Sequence, residues 1–320
     1  TLDRSSAASD VYKRQTLQSA MSVVSIAIVA IVLFIQKRVV ERKVYTMTQG
    51  RAPAARRVRS WTALLYTGGV GLVILVSMLP LIIVFVAAFT KTSGPVMQWG
   101  SWSLASMQRA LHGAPEPILN SLKFASLATV TGVAFAVLVS YLTIKKRSAF
   151  TQVLDYIVVL PLTISGTVLG IALVQTFNTG WLVLAGTSGI MVLCYAVRRL
   201  PFAVRNASSV LFNIPDSIEE ASISLGVSPL MTFFKVILPA MKASIISAAI
   251  LMWLTTISEL SASIVAYSGG LETMPIAIFR QVDGGRLGMA SAYGAALVTV
   301  IVLPIIVSVK AFRIKLFSGK

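Results

Sequence analysis

The sequence predicts an all-α integral membrane protein, a polytopic helical bundle. Hydrophobic residues make up 56% of the 320 residues and charged residues only 12%. The mean hydropathy is +0.83, whereas a soluble domain is about one quarter charged. Apolar runs without charges recur along the chain, and most approach the length of about 20 residues that a helix needs to cross the hydrocarbon core. A water-soluble protein is excluded because too little polar surface is present to cover it.

These runs predict seven membrane spans. The longest run extends over 42 residues and must therefore hold two spans, with turn-forming residues Asn178–Gly180 near its middle. The predicted spans are Ala20–Ile35, Thr62–Thr90, Phe124–Ile144, two within Tyr156–Val197, Ala243–Ser258 extended past Glu259, and Leu287–Val309.

The Lys and Arg residues of the connecting segments predict the orientation. Eight lie in 37–61, three in 145–152, five in 198–242 and four in 310–320, whereas the alternate segments hold at most two each. Under the positive-inside rule the basic segments are cytoplasmic. The C-terminus is therefore predicted to be cytoplasmic, and the protein to cross the membrane several times. We attribute the net charge of +17 to this topology and to anionic lipid head groups, and expect no nucleic-acid partner.

The chain divides into four segments. Residues 1–19 form a polar segment that is disordered or an artefact of sequence assembly, and residues 20–36 form a span that belongs to a preceding bundle. Residues 37–61 form a basic cytoplasmic linker, and residues 62–320 form a complete six-span bundle. The chain begins at Thr1, and we expect the natural protein to extend further upstream.

The cytoplasmic loop 198–242 predicts a short helix that ends in a tight turn. Ser217 and Glu220 have the spacing of a capping box at its start. Gly226 marks its end, because a left-handed backbone conformation costs little only for glycine.

A second helix is predicted directly after that turn. Ser228 has the side chain of an N-cap, and Pro229 suits the first helical position. Pro239 then ends or bends the helix before the next span.

Chemical motifs are scarce. The sequence has no phosphate-binding loop of the form G-x-x-x-x-G-K-[ST], so we expect any ATP hydrolysis to occur in a separate subunit. One cysteine, Cys194, and one histidine, His112, leave no ligand set for a metal and no nucleophile–base pair. We therefore expect no enzymatic activity, no catalytic residue and no cofactor bound by this chain.

The loop resembles the EAA loop of the inner-membrane permeases of ABC importers. That family pattern is Glu-Ala-Ala, three residues, Gly, nine residues, Ile, one residue and Leu-Pro. Here Ser222 replaces the second Ala and Val236 replaces Ile. The resemblance places the EAA loop at about 213–242 and makes 62–320 one permease domain. The segment Pro161–Gly170 also resembles the span that precedes this loop in the family.

The resemblance implies a multi-pass location in a bacterial inner membrane, several partners and a coupling role. A periplasmic binding protein would deliver substrate to two permease domains, and a cytoplasmic ABC ATPase dimer would bind their EAA loops. The second permease domain would be fused upstream or supplied by a homodimer or heterodimer. The residues assigned to ATPase coupling are Glu219, Glu220, Ala221, Gly226, Val236, Leu238 and Pro239.

The additional first span and linker most resemble fused ferric-iron-type permeases, in which 20–36 would be the last span of the first domain. The segment Ile257–Ala262 also resembles a Glu-Leu segment of those permeases. Thiamine, phosphonate, polyamine and sulfate permeases share the general fold and remain alternatives, so iron is the favoured substrate among several. A channel or a secondary transporter independent of ATP is the competing class of function.

Glu259 is predicted to lie deep in an apolar span, in the outer part of the membrane. An ionised carboxylate at such depth must face protein or water. Two roles are open: a charge in the substrate pathway, suited to a cationic substrate, or a structural hydrogen-bond anchor between helices.

Overall fold

The computed structural model describes residues 60–146 and 148–311. The predicted segments 1–19 and 20–36, and all of the linker 37–61 except its last two residues, lie outside this part of the chain. The helices are α1 (Ser60–Ala88), α2 (Ala105–Gln108), α3 (Glu116–Lys145), α4 (Ala149–Thr163), α5 (Gly166–Thr176), α6 (Ser188–Phe212), α7 (Asp216–Ser224), α8 (Pro229–Ala240), α9 (Lys242–Ile257), α10 (Ser263–Ala266), α11 (Met274–Asp283) and α12 (Leu287–Ala311). A wider helical turn follows α2 at Arg109–Gly113, and another lies within α8 at Phe233–Ile237.

The core is built on the close packing of α3, α6 and α9. Small residues line these contacts; at Gly132 of α3 a larger side chain would collide with Met252 of α9. Buried Ser140 of α3 donates a hydrogen bond to the backbone oxygen of Val204 in α6, at 3.0 Å. Small residues allow helices to approach closely where lipid provides no hydrophobic drive for association.

The outer helix α1 exposes a largely apolar surface. Helix α1 packs on α12, and most of its large apolar side chains are exposed. A surface of this kind is suited to lipid or to a second membrane domain. After α1, strands β1 (Thr90–Ser93) and β2 (Val96–Trp102) form an antiparallel hairpin.

Within residues 60–146 and 148–311, three helices are long and apolar enough to cross a membrane: Leu64–Ala88, Glu116–Lys145 and Leu287–Ile306. Two further pairs satisfy the same test only when joined: α4 with α5, which are bent by 114°, and α8 with α9, which are bent by 70°. The second bend follows Pro239 closely, as the sequence predicts. The described residues thus offer up to five such spans, against the six predicted for 62–320.

The difference lies in α6. The helix does not end at Val197, where the charge-free run ends, but continues to Phe212 as α6 and carries Arg198 and Arg199 at its middle. A membrane helix tolerates arginines at its middle only when their charges are satisfied by protein or water. The turn predicted at Asn178–Gly180 does lie between α5 and α6, where Gly180 has a φ of +106°.

Candidate coupling loop and buried ion cluster

Helix α7 begins differently from the prediction. It starts at Asp216, its N-cap is Pro215, and no side chain caps it. The predicted capping box is therefore wrong: Ser217 lies inside the first turn, and Glu220 is exposed. Pro215 holds the extended conformation that an N-cap requires, with φ −60° and ψ 144°, so the chain turns into the helix without a side-chain cap.

The end of α7 confirms the predicted glycine stop. Gly226 has a φ of +84°. Its N–H donates to the oxygen of Ile223 at 2.9 Å, and the N–H of Val227 donates to the oxygen of Ser222 at 3.2 Å. This pair of bonds is the Schellman motif, which satisfies the last carbonyl groups of a helix. Helix α8 then begins as predicted, with Ser228 accepting from the N–H of Met231 at 3.4 Å.

A buried hydrogen bond connects the two helices of the loop. The hydroxyl oxygens of Ser222 in α7 and Thr232 in α8 lie 2.9 Å apart, and both side chains are buried. Ser222 is one of the two positions at which this chain departs from the family pattern. The departure therefore adds a polar contact that an alanine could not make.

Glu219 and Asp216 attach α7 to the C-terminal end of α3. The buried Glu219 carboxylate accepts a hydrogen bond from the Tyr141 hydroxyl at 2.8 Å and lies 3.0 Å from the Lys146 ammonium. The ammonium of Lys145, whose side chain is only 5% exposed, lies 2.6 Å from Asp216 and donates to the oxygen of Ile214 at 2.5 Å. Sequence reasoning assigned no role to Tyr141, Lys145 or Lys146, because they precede the loop by some 70 residues.

The other predicted coupling residues form two groups that differ in their exposure to solvent. Glu220, Ala221, Gly226 and Pro239 are exposed, whereas Val236 and Leu238 are half-buried. Exposed apolar side chains accompany the first group; the most exposed are Leu225 at 85%, Leu230 at 71% and Phe234 at 54%. We call these exposed residues the outer face of the loop.

Glu259 does not lie in an apolar span. Helix α9 ends at Ile257, and Glu259 follows in a non-helical turn, where its side chain is 3% exposed. Its Oε2 accepts from Nε of Arg198 at 2.9 Å and from Nη2 of Arg199 at 2.5 Å. Its Oε1 accepts from the N–H of Ala262 at 3.3 Å. Sequence reasoning missed both arginines because it placed them in a cytoplasmic loop.

The broken helix α4–α5 contacts this cluster. At Gly166, the first residue of α5, a Cβ atom would lie 2.8 Å from the Arg198 guanidinium and 2.7 Å from Cβ of Ser261. At Gly170, a Cβ atom would lie 2.8 Å from the backbone oxygen of Ala262. Gly166 and Gly170 are four residues apart and therefore lie on the same face of α5. The turn after α9 and the Arg198 side chain pack against this face.

Within the described residues, no group of three or more His, Cys, Asp or Glu side chains is arranged to hold a metal ion. Cys194 is buried and His112 is exposed.

The sequence of this chain matches the model of a known protein family. The model described as "Binding-protein-dependent transport system inner membrane component" matches residues 128–314, which include the loop and the ion cluster. Solved structures share the fold. A bacterial ABC transporter that imports the acidic polysaccharide alginate matches with a TM-score of 0.60 at 17% identity, over 82% of this chain and 99% of that chain.

Curated relatives carry different substrates in their names. The ferric transport system permease protein FbpB of Actinobacillus pleuropneumoniae is 26% identical over 68% of this chain, and the match spans about a third (32%) of that relative. A putative 2-aminoethylphosphonate transport system permease protein, PhnV of Salmonella choleraesuis, is 29% identical over 76% of this chain and 90% of its own length. The molybdate/tungstate transport system permease protein WtpB of Pyrococcus furiosus is 34% identical over 52% of this chain and 67% of its own length.

Proposed function

We propose, from the premise that this chain belongs to the family of binding-protein-dependent transport system inner membrane components, that it is the membrane-spanning permease subunit of an ATP-driven ABC importer. In this proposal the chain forms part of the substrate pathway and receives the energy of ATP hydrolysis from a cytoplasmic ATPase dimer. One observation carries the proposal: a short helix, stopped by a left-handed glycine, presents an exposed apolar face on one side and is attached to α3 on the other.

The two sides of α7 suit it to transmit a displacement. Glu220 and Leu225 on the outer face are available to an ATPase, whereas Glu219 on the inner side is held by Tyr141 and Lys146. A push on α7 is thereby delivered to the end of α3, a helix of the core. The Ser222–Thr232 bond makes α8 move with α7, and α8 leads directly into α9.

The remaining partners belong to the same proposal. A periplasmic binding protein delivers the substrate, and a second permease domain completes the pathway. We place that domain upstream in the same chain, by the resemblance of 20–61 to the end of one domain and a linker. The C-terminus is cytoplasmic in this arrangement.

Ferric iron is the substrate favoured by the resemblance of Ile257–Ala262 and by the ferric permease relatives. A phosphonate or molybdate-type oxyanion is the second candidate, favoured by the relatives PhnV and WtpB and by the two arginines that neutralise Glu259.

Binding of the ATPase and uptake test the proposal together. The full-length permease is expressed with the ATPase from the same gene cluster. Leu225→Asp, on the outer face, should lower co-purification of the ATPase about tenfold or more, because it places a charge in an apolar contact. Trp181→Asp is the matched control, since Trp181 is 96% exposed in the connection before α6 and should not change co-purification. Equal recovery of the ATPase with both variants, or uptake into proteoliposomes that does not need ATP, would contradict the proposal and favour a channel or secondary transporter.

A further inference from the structure

The arginine–glutamate cluster has an excess of positive charge. Two guanidinium groups share a single carboxylate oxygen, and no other carboxylate among the described residues pairs with either arginine. One positive charge is therefore uncompensated. The Nε atom of Arg199 is buried and has no hydrogen-bond partner within the described part of the chain, so the cluster also retains unused donor capacity.

The cluster lies far from the cytoplasmic loop. Arg198 precedes Phe212, the last residue of α6, by 14 residues, which is roughly 21 Å along a helix axis. Glu259 follows the 16 residues of α9, which correspond to roughly 24 Å. The two lengths agree, so the cluster lies within the membrane-spanning layer, well above α7.

Residues that carry hydroxyl groups lie next to Gly166, the position at which α5 meets the Arg198 guanidinium. Gly166 touches both Arg198 and Ser261, and its neighbours Ser165 and Thr167 are exposed, as is Ser261. The Ser165 and Thr167 hydroxyls are 3.0 Å apart. Ser165 caps α5 by accepting from the N–H of Val168 at 3.4 Å, so the first turn of that helix begins at this surface.

A polar, positively charged surface at this depth is unsuited to lipid, because an arginine facing the hydrocarbon core is costly. It must therefore face water or another protein domain. In an importer, the surface that one permease domain presents to the other encloses the pathway. The surface formed by Ser165, Thr167, Arg198 and Ser261 thus has the location and the chemistry of a pathway wall, and we call it the arginine wall.

We propose that the arginine wall lines the substrate pathway and makes it selective for an anionic, oxygen-rich substrate. The guanidinium and hydroxyl groups are donors suited to phosphonate, molybdate-type or carboxylate oxygens. The inference rests on the proposed function and refines it: Glu259 does not act as a free negative charge for a cation, and a metal ion would pass only within an anionic complex.

Thiol labelling tests the electrostatics without knowledge of the substrate. Cysteine is introduced as Ser261→Cys in a Cys194→Ser background of the full chain, assembled with its ATPases in proteoliposomes. Labelling rates are compared for anionic 2-sulfonatoethyl methanethiosulfonate and for its cationic trimethylammonium analogue. Thr179→Cys is the reference site, because 177–187 carries no charged residue. We expect the ratio of anionic to cationic rates to be about tenfold higher at Ser261→Cys than at Thr179→Cys, as one nearby positive charge would produce.

A second pair of variants keeps the fold and changes only the charge. Ser165 is the N-cap of α5, and both Asp and Asn are good N-caps. Ser165→Asp should lower the rate ratio at Ser261→Cys about tenfold relative to Ser165→Asn. Arg198→Gln should also lower the ratio of anionic to cationic labelling rates at Ser261→Cys. Arg198→Lys, which keeps the positive charge, should retain most of that ratio.

Three results would overturn the inference alone: no labelling at Ser261→Cys by either reagent, a rate ratio no greater than at Thr179→Cys, or equal ratios for Ser165→Asp and Ser165→Asn. The proposed function fails on a different result. If the wild-type chain neither binds the ATPase nor supports ATP-dependent uptake, the importer assignment is wrong even if the arginine wall is electropositive.

Discussion

Two buried glutamates in this chain look alike by exposure but differ in what surrounds them. Glu219 in α7 is 6% exposed and Glu259 after α9 is 3% exposed. The partners of Glu219 are a tyrosine hydroxyl and Lys146, whose side chain is 52% exposed and can be hydrated. The partners of Glu259 are Arg198 and Arg199, whose side chains are 21% and 19% exposed. Glu219 thus attaches a surface helix to α3, whereas Glu259 joins the turn after α9 to α6.

The difference shows that burial of a carboxylate does not by itself define its role. The free-energy cost of removing the carboxylate depends on whether its partners remain buried or become hydrated. Lys146 can turn into water when Glu219 is removed. Arg199 cannot do so easily, because it projects from the middle of a core helix and its Nε is already buried without a hydrogen-bond partner among the described residues. The effects of substitution should therefore separate clearly.

The largest effect is expected for Glu259→Ala. Removing one partner of a buried ion pair costs about 3–5 kcal/mol, because the remaining charges stay buried without compensation. The thermal unfolding of the detergent-solubilised permease, followed by size-exclusion chromatography, measures the loss. Glu272→Ala is the control: its pair with Arg280 spans 3.2 Å at a more exposed position, and should contribute about 0–1 kcal/mol. Equal stabilities of the two variants would show that the cluster is not an anchor.

Gly226→Val should have the next largest effect, and it concerns the orientation of α7. A Cβ atom at Gly226 meets nothing within 4 Å, so only the backbone conformation opposes the change, at a cost of about 1–2 kcal/mol. The protein should insert normally but lose substrate-stimulated ATP hydrolysis, because Glu219 and Glu220 are turned away from their positions. Gly269→Val, at an exposed glycine whose φ lies outside the left-handed range, is the control. Full stimulation in Gly226→Val would contradict the coupling role.

Ser222→Ala tests whether the two helices of the loop move together. It restores the family's residue but leaves the buried Thr232 hydroxyl without its partner, at a cost of about 1 kcal/mol. Adding Thr232→Val should recover most of the stability, since replacing both partners by apolar groups is close to neutral. A double-mutant cycle on thermal unfolding measures the coupling. Additive effects of the two substitutions would mean that the hydrogen bond contributes nothing.

Glu219→Gln should lower the stability less than Ser222→Ala does. Gln still accepts the Tyr141 hydrogen bond and loses only the ion pair with the half-exposed Lys146, about 0–1 kcal/mol. ATPase binding should be retained, because the side chain faces α3. Glu220→Arg should leave the stability unchanged and weaken ATPase binding, because it reverses a charge on the outer face. If both substitutions weakened binding equally, α7 would not have an inner and an outer side.

The sequence predicted the loop better than the bundle. The end of α7 at Gly226, the start of α8 at Ser228 and the bend after Pro239 were all correct, because each depends on local backbone chemistry. The start of α7 was wrong, since Pro215 supplies by its own conformation what the Ser217 side chain was expected to supply. The end of α6 was wrong because arginines suggested an aqueous loop, whereas their neutralising partner lies 60 residues further along the chain.

By itself, then, the sequence determined the class of protein, the approximate positions of most apolar helices and the helix–turn–helix of the loop. These follow from composition, hydropathy and turn chemistry, which act over a few residues. Only the tertiary structure decided that Glu219 is held by Tyr141 and Lys146, that Glu259 is held by two arginines, and that Gly166 brings a broken helix against one of them. These contacts join residues between 32 and 78 positions apart, and a charge in a membrane protein acquires its role from the groups that surround it in three dimensions.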